Sequence, residues 1–185
     1  NHPNHQGKLF LLFDPTHVFK CIYNNFQCRK LFECPKFDDV SITANFNDLK
    51  ELYHIEQTKV VKMAYQLNDK CLKPQPIEKS NVSLAASVFS ESTRNAMQFY
   101  VDNGYPQWEG TLNFLKIISK WWDILNVKST SKGKHKRDVN SEPITNANYN
   151  IVAEFFKKVV DWLIKWQSSG KIGFSAETFK TFKHT

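Results

Sequence analysis

Apolar residues return at steps of three and four along most of this chain, and that spacing confines it to a fold built from helices packed face to face. Phe46, Leu49, Leu52 and Ile55 form one such series, continued by Val60, Met63, Ala64 and Leu67, with Asn45 or Asn47 as cap. After a break over Leu72 to Ser80, which contains Pro74 and Pro76, a third helix is expected from about Asn81 to Val101. It carries Val82, Ala85, Ala86, Phe89, Ala96, Met97 and Tyr100 inward. Thr111 is expected to cap a fourth helix from Leu112 to about Asn126, with Phe114, Leu115, Ile118, Trp121, Trp122 and Leu125 on its apolar face. A fifth spans about Ala147 to Ser168 and stops at Gly170, and Ser175 caps a last helix holding Phe179 and Phe182.

The start of the chain is different. From Lys8 the chain enters a continuous apolar run, Leu9 to Phe13, that ends at Asp14-Pro15 and restarts with helical spacing to Phe26. This predicts a short buried strand leading into a helix, with Asp14 as N-cap and Pro15 in the first turn, where a missing N–H costs nothing. His17, Lys20, Cys21 and Asn24 then share one side of that helix. Glu33 to Ala44, with Pro35 and the acids Glu33, Asp38 and Asp39, reads as a loop. The expected fold class is mainly α, a bundle of about six helices with one short N-terminal strand. With 185 residues and 41% apolar content, one core and one domain are expected over 1–185. Fifteen Phe, five Trp and six Tyr supply large rings for that core.

The formal net charge of +7 favours an anionic partner such as nucleic acid or nucleotide phosphate. Its densest concentration is Lys128, Lys132, Lys134, Lys136 and Arg137, a polar stretch without apolar anchors that suits phosphate contacts and equally suits a solvated surface loop. Cys21, Cys28, Cys34 and Cys71 form no Cys-x-x-Cys pair, so ordinary reduced thiols are expected; His17 with Cys21, Cys28 and Cys34 matches no common zinc spacing. No apolar run approaches the ~20 residues that span a bilayer, so a soluble chain is expected.

A phosphate-cradling Gly-x-x-x-x-Gly-Lys-Ser/Thr loop does not occur, since Gly133-Lys134 is followed by His135. Nucleotide binding would have to be of another kind. Asp123 and Asn126, three residues apart at the end of the fourth helix beside Trp121 and Trp122, are the best local candidates. A carboxylate can accept from the N1–H and exocyclic amine of guanine, an amide can bond its O6 edge, and an indole can stack on the ring. The same residues also fit a solvent-facing acid and an Asn C-cap. Lys79-Ser80-Asn81-Val82 and Ser90 stand at expected helix starts, where free amides attract phosphate and where plain caps look identical. No assembled trio of carboxylates suggests two-metal chemistry.

Asp14-x-x-His17 with Lys20 and Asn24-Asn25, Leu49 to Tyr53, Lys79 to Ala86 with Phe89-Ser90, Trp121-Trp122-Asp123-x-x-Asn126 and Phe174 to Phe179 occur in an order that closely resembles the P-element and THAP-type DNA transposases. In that family the corresponding segment is a guanine-nucleotide-binding insertion within a ribonuclease H-like catalytic fold. The resemblance implies that residues 8–26 are strand and helix of the flanking catalytic fold, 27–170 the helical insertion and 171–185 the returning segment. It also implies GTP as an unhydrolysed cofactor, with Mg2+ on its phosphates, and DNA as a partner of the parent protein in the nucleus, with self-association open and no membrane. By the same resemblance Asp123 and Asn126 hold the base, and Asn81, Val82 and Ser90 lie near the nucleotide, Asn81 standing where a lysine is expected. The family's catalytic acids fall outside the chain, so it is expected not to cleave or join DNA alone. The alternatives are an interaction or assembly module without GTP, and a DNA-binding helical domain working through residues 128–137.

Overall fold

The computed structural model describes residues 12–127 and 139–185. Helix α1, Pro15–Arg29, begins as expected: Asp14 Oδ1 accepts from the Thr16 N–H at 2.9 Å and Pro15 occupies the first turn. Of the apolar run before it, residues 9–11 lie outside the described residues, and Leu12 and Phe13 are exposed and not in a strand.

The sheet instead lies where a loop was expected. Strands β1, Leu31–Phe37, and β2, Val40–Asn45, form an antiparallel hairpin. Phe32 and Cys34 on one strand and Ile42 and Ala44 on the other are buried, a short period-two alternation. The turn is Asp38-Asp39, with φ of 46° and 63°. A type I′ two-residue hairpin turn needs positive φ at both positions, and aspartate tolerates that region better than most residues. Pro35 falls at the register irregularity between Cys34 and Phe37, where a residue without an N–H does least harm to the ladder.

Helix α2, Phe46–Gln57, follows directly with Asn45 as cap. It does not continue to residue 67 as the spacing suggested. Thr58 Oγ1 bonds the Ile55 carbonyl at 2.7 Å, and the β-branched pair Val60-Val61 favours helix poorly. Val60, Val61 and Met63 are therefore exposed, whereas Ala64 and Leu67 are buried. A short helix α3, Asp69–Leu72, and a 3-10 turn, Pro76–Ser80, lead to α4, Val82–Val88, and α5, Glu91–Asp102. One helix was expected over these last two; Ser90 divides them because its Oγ accepts from the Thr93 N–H at 3.2 Å and caps a new helix.

Helix α6, Glu109–Leu125, starts earlier than Thr111. The Thr111 side chain is fully buried and turns to the hairpin, accepting from the Asn45 N–H at 2.8 Å and donating to Asp48. Helix α7, Tyr149–Ser168, ends before Gly170, whose φ is 65°, and Ser175 caps α8, Ala176–Lys183. Helix α6 packs along β2, and α7 along β1, its Trp162 indole donating to the Pro35 carbonyl at 3.0 Å. Between them Phe26, Phe32, Phe46, Phe114, Trp166 and Phe174 make a core of tilted and edge-on rings. Such ring pairs add about 0.5–1.5 kcal/mol each beyond area burial. No helix among the described residues is long and apolar enough to cross a membrane.

Candidate functional site

A cleft of about 370 Å³ opens where the α4–α5 junction meets the end of α6. Its aromatic wall is Phe19 of α1 and Trp122 of α6, stacked with centroids 4.2 Å apart and planes within 6°. Asp123 and Asn126 also line it from α6, Ser90 and Arg94 from α5 and its cap, and Tyr65 and Gln66 from the irregular segment after α2.

The break at Phe89-Ser90 frees the Phe89 carbonyl from the helix ladder, and two side chains claim it. Ser119 Oγ donates to it at 2.8 Å from α6, and Arg94 Nη1 donates at 3.1 Å from α5. The same Nη1 stands 4.0 Å from Asp123 Oδ2. At that separation the attraction is electrostatic and not a hydrogen bond. The two side chains are 21% and 34% exposed, so screening is partial. Asp123 thus faces the cleft beside a fixed cation. Ser90 Oγ lies 3.0 Å from Ser92 Oγ and 2.9 Å from Thr93 Oγ1, placing three hydroxyls together at the start of α5.

The structure brings Asp123, Asn126 and Ser90 into one cleft. Asn81 and Val82 are not among its lining residues: Asn81 caps α4, its Oδ1 accepting from the Ser83 N–H at 2.9 Å, and Val82 lies one turn before Ala86, which does line it. Lys128, Lys132, Lys134, Lys136 and Arg137 lie outside the described residues; Asn126 and Ser141, on either side of that stretch, both line the cleft. On α1, Asp14 serves as the cap, His17 Nε2 is 3.5 Å from Cys21 Sγ, and Asn24 Nδ2 donates to the Lys79 carbonyl at 3.1 Å. All four cysteines are free, and among the described residues no three His, Cys, Asp or Glu side chains gather closely enough to hold a metal ion.

Sequence reasoning missed Phe19, Tyr65, Gln66 and Arg94. Phe19 reads as core from its spacing, and Tyr65 and Gln66 fall on an expected helix that does not form there. Nothing local links Arg94 to Asp123, which lie on different helices.

Residues 16–138 match the family described as the TNP-like, GTP-binding insertion domain, well over half of the 185 residues. The chain belongs to this family. The insertion domain is 25% identical over 132 residues to the Transposable element P transposase of Drosophila melanogaster, an alignment covering 67% of this chain and 16% of the relative. Its fold is that found in the Drosophila P element transposase strand transfer complex, with a TM-score of 0.79 at 18% identity, covering 98% of this chain and 39% of that one. The insertion domain therefore spans only a minor part of the curated relative it matches.

Proposed function

We propose that this insertion domain binds guanine nucleotide in the α4–α6 cleft and acts as a non-catalytic cofactor module of a nuclear P-element or THAP-type transposase, or of a protein derived from one. The observation that carries the reading is the convergence of Asp123, Asn126 and the Phe19–Trp122 stack in one cleft of suitable size. Asp123 accepts from the N1–H and amine of guanine, Asn126 meets the O6 edge, and the aromatic wall shelters the ring from water. Adenine offers an acceptor at N1 and would leave the carboxylate unmatched, which costs about 1–3 kcal/mol, roughly five- to 150-fold in affinity. GTP supplies a polyanion that can couple DNA assembly to nucleotide supply. Mg2+ would arrive on its phosphates, and DNA would be met by the parent protein with help from the basic run 128–137.

A second reading, an assembly module without nucleotide, is favoured by one observation: Asn81 brings no charge toward a phosphate and spends its side chain capping α4. Isothermal titration with GTP and ATP, with and without Mg2+, separates the two. GTP-selective heat that vanishes in Asp123→Ala supports nucleotide binding. Silence with both nucleotides supports the assembly module, whereas equal binding of both that ignores Asp123→Ala refutes the role of Asp123 in selecting guanine. Binding of DNA that weakens steeply with salt tests the basic run.

A further inference from the structure

Glu56 is an anomaly in this fold. It sits one residue before the end of α2, is only 2% exposed, and makes no ion pair among the described residues. A buried carboxylate is costly unless hydrogen bonds replace its water. Two do: Oε2 accepts from the Ala64 N–H at 3.0 Å, and Oε1 accepts from the Tyr100 hydroxyl at 2.7 Å. Burial and the bond to Glu56 push Tyr100 up to about 12, so the hydroxyl remains a donor at any ordinary pH.

The position of Ala64 gives these bonds their meaning. Between α2 and α3 the chain is irregular over residues 58–68, and its two buried residues are Ala64 and Leu67, the Leu67 N–H bonding the Ala64 carbonyl at 2.9 Å, so that Ala64 anchors this bond as well as the one to Glu56. Immediately after it come Tyr65 and Gln66, which wall the cleft that holds Asp123; immediately before it come Lys62 and Met63, which line an adjoining cleft with Glu91 and Asn95. Tyr65 is 71% exposed, between the buried Ala64 and Leu67.

We infer that Glu56 is the positioning residue of the outer wall of the nucleotide cleft, pinning residues 58–66 at Ala64 to α5 through Tyr100. The inference rests on the nucleotide reading for its effect on affinity and on the hydrogen bonds alone for its effect on the segment. Without the pin the wall stands in place for a fraction of the time, and apparent affinity falls by that fraction. In Glu56→Gln the pin survives, because the amide oxygen can accept from Ala64 N–H while its NH2 donates to the Tyr100 oxygen.

The test measures amide hydrogen exchange and GTP titration on the 185-residue chain and its variants. In Glu56→Ala, exchange at 58–68 speeds up while α1 and α6 keep their protection, GTP binds roughly tenfold more weakly, and Glu56→Gln restores both. Unchanged exchange at 58–68 in Glu56→Ala overturns the pin whatever nucleotide does. Faster exchange with wild-type GTP affinity overturns the claim on the cleft. Failure of Glu56→Gln to restore either readout overturns it too. No GTP binding by the wild-type chain removes the nucleotide reading and, with it, the claim on affinity. Should Glu56→Ala not fold, Tyr100→Phe removes the Oε1 partner alone; faster exchange there supports the pin, and wild-type exchange and affinity refute it.

Discussion

Gly110→Ala sets two opposed effects against each other at the start of α6. Alanine is the better helix former by about 1 kcal/mol, so helix propensity alone forecasts a more stable protein. The packing forecasts the reverse. A Cβ at Gly110 would lie 2.3 Å from the Thr43 carbonyl oxygen, 2.9 Å from its nitrogen and 3.1 Å from its carbonyl carbon, all backbone atoms of β2. No rotamer change relieves such a contact; helix and strand must part by roughly 1 Å. They are held on both sides of the clash, by wholly buried Trp108 just before it and by Thr111, bonded to Asn45 and Asp48, just after it. Overpacking costs about 1–3 kcal/mol, and contact with backbone places this case at the upper end. About 3 less about 1 leaves a net loss of roughly 2 kcal/mol. With a urea slope of about 2 kcal/mol/M, the unfolding midpoint should fall by about 1 M. A variant as stable as the wild-type chain, or more so, would refute the close approach of α6 to the hairpin.

Thr111→Val keeps the shape but strands the Asn45 N–H, and it removes from Asp48 the hydrogen bond that partly offsets the upward push of burial on its pKa. A loss of about 1–3 kcal/mol is expected in thermal unfolding, largely recovered in Thr111→Ser. Tyr100 gives a pH signature. Its folded pKa is raised from 10.0 to about 12, so between those values the unfolded chain sheds a proton the folded chain keeps. Stability therefore falls as pH rises from 10 to 12, and the slope of unfolding free energy against pH over that window should be shallower in Tyr100→Phe; an unchanged slope would contradict the Glu56–Tyr100 contact.

Helices α1, α7 and α8 were legible because each shows one apolar face and one unambiguous end, Asp14-Pro15, Gly170 and Ser175 respectively, whereas α6 was legible by its apolar face alone, its expected cap Thr111 lying inside the helix. The hairpin was not, since its alternation covers only two inward residues per strand and Pro35 interrupts it. Nor was the early end of α2, because Val60 and Met63 keep helical spacing while their side chains face water. That spacing records periodicity and carries no trace of the inward Glu56 that redirects the chain. Of the residues that line the candidate cleft, Asp123, Asn126 and Ser90 were singled out in the sequence, and their meeting in one cleft is a product of the fold. Arg94, Phe19 and Tyr65 join them only through contacts between distant segments, which no local pattern encodes.

The interruption at Phe89-Ser90 leaves the cleft organised around a main-chain oxygen, to which Ser119 and Arg94 are both tied. An acceptor of this kind belongs to no particular side chain. Residue 89 can exchange its ring for another apolar group without deleting the acceptor, whereas any change that lets α4 run unbroken into α5 would engage that carbonyl in the helix ladder. The capping hydroxyl at position 90 therefore guards the hub more closely than the residue that supplies it, and substitutions that heal the break should loosen the Arg94–Asp123 pairing from a distance.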